Sequence, residues 1–198
     1  GQNVTDGDSN TCVGYNAGAV ISTGLRNTIV GGGAGPDFDA ENNNTLIGAF
    51  VASGSNAAAN LVGVGANAIG GANLTSGANG TVAIGESALT ALTSGAENVA
   101  MGYQAMAETT QGDKNTVVGY QAMAEDATLD NTNNTFLGYQ AGGGDWTTGA
   151  SSYNVGIGSK ALYGAMNDAD YNVAIGSEAG IAVVGGEHNT MVGNTAGN

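Results

Sequence analysis

The sequence predicts an all-β parallel solenoid: about eleven short coils stacked as one domain over residues 1–198. Three observations predict it. A glycine preceded by an aliphatic residue recurs at Gly14, Gly31, Gly48, Gly65, Gly85, Gly102, Gly119, Gly138, Gly158, Gly176 and Gly193, at intervals of 17 to 20 residues. Four residues ahead of it stands Asn in nine coils, at Asn10, Asn27, Asn44, Asn98, Asn115, Asn134, Asn154, Asn172 and Asn189, with Leu61 and Thr81 in the other two. An interval of 17 residues has room for two short strands and two turns, and too little for a helix plus a strand with connections.

Each element of the repeat has a physical reason. Thr or Val stands three before the glycine and an aliphatic residue one before it, so period-two alternation puts both on one face of a strand. Most are β-branched, which suits a pleated surface, and this face is expected to look inward. The residue between them (Cys12, Ile29, Leu46, Gly63, Ala83, Phe136, Gly156) varies in size and is expected to face the other way. The glycine serves a backbone conformation closed to other residues, or a close approach of neighbouring coils. A second apolar piece such as Ala105-Met106-Ala107 or Ala161-Leu162-Tyr163 follows as the expected second strand, and Gly/Asn/Asp/Thr loops absorb the variation in length. The Asn column is expected to stack as a side-chain ladder that satisfies turn backbone groups from coil to coil. Ten steps of about 4.8 Å give a shaft of roughly 50 Å.

Composition removes several function classes. Three basic against 17 acidic residues give a net charge of −14, which excludes a reader of nucleic-acid phosphates and an anionic membrane surface as partners. No run of 18 apolar residues spans a bilayer, so no membrane insertion is expected. One cysteine forms no disulfide within the chain, and one histidine leaves little for acid–base or metal chemistry. The chain is expected not to be an enzyme. Gly63-Val64-Gly65-Ala66-Asn67-Ala68 fits a dinucleotide fingerprint, but the repeat supplies those glycines without a strand–turn–helix context.

Units such as Asn172-Val173-Ala174-Ile175-Gly176-Ser177-Glu178-Ala179 resemble the head repeats of YadA-like trimeric autotransporter adhesins. The variant Asn134-Thr135-Phe136-Leu137-Gly138-Tyr139-Gln140-Ala141 is still more similar to repeats in bacteriophage tail fibres. The resemblance covers essentially the whole chain. It implies a left-handed β-roll assembled as a homotrimer, located in a virion tail fibre or, alternatively, on a bacterial cell surface. Implied partners are copies of itself, other fibre or virion proteins, and a host surface glycan or protein. A coil this small encloses little apolar volume, which also favours association of identical chains. Standard repeats from Asn10 to Ala196, without polar caps, lead to the expectation of a piece of a longer fibre. A polysaccharide-depolymerising fibre, with Glu86, Glu178 or Asp145 converging as a carboxylate pair, is the alternative from a different class. An ice-binding solenoid needs a flat, exposed Thr array, whereas the Thr/Val column is expected to look inward.

Candidate sites lie where coils differ. The 20-residue interval from Gly138 to Gly158 carries Gly142-Gly143-Gly144-Asp145-Trp146, with the chain's one tryptophan. Trp146 beside Asp145 suits stacking and hydrogen bonding to a sugar, or alternatively plugs a gap between chains. Tyr103, Tyr120 and Tyr139 directly follow their glycines and form a stripe, read as corner packing or as a sugar platform. Asp6, Asp8 and Asn10, and Asp168, Asp170 and Asn172, alternate oxygen ligands like the first half of a calcium loop, without its glutamate at the twelfth position. Calcium is therefore the one cofactor to test. His188 is read as an exposed bystander and Cys12 as a small buried thiol.

Overall fold

A computed structural model of the chain describes residues 6–54, 57–70, 73–124, 130–146, 149–164 and 166–198. The eleven strands are the tripeptides that precede the repeat glycines: β1 (Thr11–Val13), β2 (Thr28–Val30), β3 (Thr45–Ile47), β4 (Val62–Val64), β5 (Val82–Ile84), β6 (Val99–Met101), β7 (Thr116–Val118), β8 (Thr135–Leu137), β9 (Val155–Ile157), β10 (Val173–Ile175) and β11 (Thr190–Val192). They form one parallel sheet in chain order. Register is uniform: Thr11 sits over Thr28 and Val13 over Val30, and the same alignment holds to Ile175 over Val192. Each strand therefore meets only the coil before it and the coil after it, as a solenoid requires.

Backbone geometry fixes the three-residue length. Five residues before the glycine the chain is left-handed, as at Lys114 (φ 60°) and Tyr171 (φ 58°). The repeat glycine itself lies between φ 128° at Gly14 and 151° at Gly119, where other residues are strained. Extended backbone is confined between these two bends. A Cβ on Gly119 would also lie 2.0 Å from the Gly138 carbonyl oxygen. Both reasons expected for the glycine hold at once.

Two expectations are corrected. The inward residue of each strand is the middle one: Ile29, Leu46, Ala83, Ala100, Val117, Phe136 and Ala174 are fully buried, while the flanking Thr/Val and aliphatic residues face outward. The Asn column decides this. Its amides turn into the coil to bond loop carbonyls, and alternation then carries the middle residue inward with them. The apolar piece after the glycine is not a second strand. It is a chain of turns, with left-handed residues such as Gln104 (φ 53°) and Met106 (φ 52°). Coil-to-coil bonding survives there: the N–H of Met106 donates to the Ala122 carbonyl and that of Met123 to Ala141, both at 3.0 Å.

The interior is packed by alternating size. Phe136 is accommodated because the facing positions are Gly142 and Gly156, where a Cβ would come within 2.8 and 2.7 Å of the ring. Trp146 meets the same ring edge-on at 5.6 Å. The extra residues between Gly65 and Gly85 are taken up by a 3₁₀ turn at Ser76–Ala78, where Thr75 Oγ1 accepts the Gly77 N–H.

Candidate functional site

The Asn ladder forms as expected. Just ahead of β7 the Asn115 Oδ1 accepts the N–H of Asn134 at 2.9 Å, and its Nδ2 donates to Asn98 Oδ1 at 3.1 Å and to the Asn131 carbonyl at 2.7 Å. The same pattern links Asn134, Asn154, Asn172 and Asn189. Thr81 substitutes as a weaker rung, donating to the Gly95 carbonyl at 3.3 Å, whereas the Leu61 N–H donates to Asn44 Oδ1 but Leu61 has no side-chain acceptor to offer the next coil.

A second ladder, two residues upstream, was not read from the sequence. The backbone N–H of Leu25 donates to Asn42 Oδ1, Ala59 to Asn79 Oδ1, Ala96 to Asp113 Oδ1, Asp113 to Thr132 Oγ1, Thr132 to Ser152 Oγ and Ser152 to Asp170 Oδ1. Its members share an acceptor oxygen and not a residue type, so no single letter recurs to mark the column. It bears on the calcium candidates. Asp170 spends an oxygen on Ser152, Asn172 spends its amide on Asn154, Asn189 and the Gly186 carbonyl, and Asn10 spends its own on Asn27 and the Gly24 carbonyl. Asp6, Asp8 and Asp168 are exposed. Among the described residues no group of three or more His, Cys, Asp or Glu gathers as a metal site.

Trp146 is fully buried, and no partner for its Nε1 exists among the described residues. Of the two alternatives, a sugar contact or a plug between chains, neither describes the ring in one chain: it faces Phe136 and the core, while Asp145 beside it is exposed. Burial of a large aromatic surface is the dominant contribution of this side chain. Cys12 occupies the inward strand position of the first coil and packs against the core while partly exposed.

The three tyrosines do form a stripe. Tyr103 stacks on Tyr120 at 5.2 Å and Tyr120 on Tyr139 at 5.5 Å, with planes within 17°. Gln121 donates to Gln104 and Gln140 to Gln121 alongside, at 2.8 and 3.2 Å. Each inner face of the stack is covered by the next ring, so the stripe presents ring edges and hydroxyls. A pyranose needs an open face, which only the ends of the stack offer. A second stack runs Tyr153, Tyr171 and His188, each 4.9 Å from the next and within 6° of parallel. The sequence carries its signal, since all three stand five residues before their glycines, but His188 hides it by not being tyrosine.

Two outward columns lie between these stacks: Thr/Val three before the glycine, and Val, Ile, Met or Leu one before it. Neither contains a charged residue in any coil, in a chain of net charge −14. Ile47, Met101 and Ile175 on this face are 41, 37 and 39% exposed. The reason given for setting aside an ice-binding surface falls with the reversed orientation, since the Thr/Val column looks out. Its Thr positions are broken by runs of Val (Val62, Val82 and Val99; Val155 and Val173), so the regular Thr array such a surface needs is still missing. Glu86 and Glu178 follow the glycines of the fifth and tenth coils, about 24 Å apart at about 4.8 Å per step, and do not converge within one chain. No known protein family, curated protein or solved structure matches the chain.

Proposed function

We propose that the chain is a structural and attachment segment of a homotrimeric fibre, most like a bacteriophage tail fibre, which projects a receptor-binding region toward a host surface. The observation that carries this reading is the uncharged strand face left open on a single chain. Along the shaft that face and its borders cover on the order of 1,000 Å², comparable with the ~800 Å² that each partner contributes to a stable interface. A chain with 17 acidic residues keeps them off one stripe because contact there would desolvate them. A rotational axis parallel to the shaft buries the same stripe in every copy and leaves the loops and most acidic residues outside, with Glu86 and Glu97 on its borders. The partners under this reading are two further copies, neighbouring virion or fibre proteins, and a host glycan or protein at the cell surface. It assigns no catalytic residue.

Sedimentation equilibrium tests it: a species of three times 19.2 kDa is expected at micromolar concentration, and a folded monomer overturns the proposal. Ile175→Asp sharpens the test. Ile175 is exposed on one chain, so the variant is expected to keep its β-sheet circular dichroism and to sediment as a smaller species. Retained trimers would remove this face from the interface.

A further inference from the structure

Two columns border the uncharged face. One stands five residues before the repeat glycine, two residues ahead of the strand; the other directly follows the glycine, two residues beyond the strand. Read coil by coil, the pairs are Ser9 with Tyr15, Arg26 with Gly32, Asn43 with Ala49, Asn60 with Ala66, Gly80 with Glu86, Glu97 with Tyr103, Lys114 with Tyr120, Asn133 with Tyr139, Tyr153 with Ser159, Tyr171 with Ser177 and His188 with Asn194. No coil has a ring in both columns. The tyrosine stack on the downstream border ends at Tyr139 in the eighth coil, and the stack on the upstream border begins at Tyr153 in the ninth. In the second to fifth coils the larger residue faces Gly or Ala. Within one chain the two columns are separated by the whole strand, so nothing inside the chain requires sizes on one border to answer those on the other.

We infer that the upstream border of one copy packs against the downstream border of the next copy at the same level, and that these borders set the register of the assembly. This inference rests on the oligomeric reading above and deepens it. When copies related by a rotation axis along the shaft bury the strand face, the left border of each face meets the right border of its neighbour. The contact is heterologous and closes into a ring. At the same level each ring then meets a residue that is not a ring, and Lys114 lies beside Tyr120, whose faces are covered by Tyr103 and Tyr139 and whose hydroxyl can accept from the ammonium. A slip of three coils would set Tyr153, Tyr171 and His188 against Tyr103, Tyr120 and Tyr139, forcing six rings into space shaped for three. The occupant of the borders is thus another copy of this chain, parallel and unshifted.

Disulfide trapping tests this in the intact chain with Cys12→Ser as background, since Cys12 is the one native thiol. Lys114→Cys with Tyr120→Cys pairs one level; both positions are exposed, and they flank the strand too far apart to bridge within one chain. Oxidation is expected to give a covalent closed trimer on denaturing gels. Lys114→Cys with Ser159→Cys, two levels apart at about 10 Å of axial offset, is expected to link at least tenfold less. Equal linking of the offset pair, or self-linked dimers from Lys114→Cys alone, overturns the inference. Sedimentation of the unoxidised variants separates the two readings: a monomer defeats the fibre proposal itself, whereas a trimer that fails to cross-link at matched levels defeats only the register.

Discussion

Replacing Asn115 isolates the ladder, because its side chain is fully buried and every polar atom is engaged. Asn115→Ala removes the acceptor of the Asn134 N–H at 2.9 Å and the donor to the Asn131 carbonyl at 2.7 Å, along with two amide–amide contacts to Asn98 and Asn134. Each buried group that loses its partner costs about 1–3 kcal/mol, so a loss of roughly 3–5 kcal/mol is expected. Asn115→Asp has almost the same shape and should be worse at neutral pH. Its second oxygen would face the Asn98 Oδ1 and the Asn131 carbonyl, two acceptors, and the charge would be buried. Both effects raise the folded-state pKa of the new carboxyl above its unfolded value of about 3.9. The penalty is therefore absent below the unfolded pKa and sets in as pH rises toward the folded one, so acid should restore the Asp variant and leave the Ala variant unchanged. Urea titrations at fixed protein concentration, followed by circular dichroism at pH 3.5 and pH 7, measure both. Hydrogen exchange then shows whether loss is confined to the coils of β7 and β8, as nearest-neighbour stacking requires. A loss under about 1 kcal/mol for Ala, or an Asp variant as stable as the parent at pH 7, would refute the reasoning.

The remaining predictions follow from packing. Gly119→Ala places a Cβ 2.0 Å from a carbonyl of the next coil and is expected to prevent native stacking, whereas Gly193→Ala, whose nearest neighbour would be Ala196 Cβ at 3.9 Å, should cost only the roughly 1–3 kcal/mol of a strained backbone; comparable melting of the two would sink the close-approach account. Trp146→Ala should cost about 3–5 kcal/mol, and Trp146→Phe, which keeps most of the buried ring, much less; strong acrylamide quenching of native Trp146 would contradict its burial. Because the Asn10 and Asn172 amides are committed to the ladder, calcium or a chelator should leave the melting temperature unmoved, and a calcium-dependent rise would reinstate the acidic clusters as sites.

Where a residue type repeats, the sequence was readable. The glycine column announced itself because two constraints, a positive φ and a contact near 2 Å, admit no other side chain. The Asn column did so because an amide, with its donor and acceptor on separate atoms, makes at 2.7 to 2.9 Å the bonds that the single hydroxyl of Thr81 makes only at 3.3 to 3.5 Å. The second ladder was hidden because Asn42, Asp113, Thr132 and Ser152 all accept equally well, so selection acts on an oxygen and not on a letter. Strand orientation was misread for a related reason. β-Branched residues flanking a middle position of variable size suggest an inward pair, but Val117, Phe136 and Gly156 vary because they interlock with different neighbours inside. In sequence, Trp146 reads as a sugar contact or a plug between chains because its glycine-rich surroundings resemble a surface loop. Of those glycines, Gly142 instead clears space for Phe136, the ring on which Trp146 packs, and Gly144 lies against the Tyr163 and Gly164 carbonyls.

The interrupted rung at Leu61 bears on how the rod would carry load. Hydrogen bonds between coils run along the shaft, so axial tension pulls on them directly, and the junctions between coils act as links in series. Adjacent links share no bonds, and a chain of links parts at its weakest member however strong the rest are. Between most coils the Asn amides add side-chain bonds to the backbone set; between the coils of β4 and β5 Leu61 adds none, and the next rung, Thr81, is held at 3.3 to 3.5 Å. Rupture under force is governed by the rate of opening, and the junction expected to open first is this one, where the Ala59 N–H to Asn79 Oδ1 bond of the second ladder remains but the Asn rung does not. The breaking strength of the shaft is then a local property of residues 61 to 81, and lengthening the stack with further intact coils would leave it unchanged.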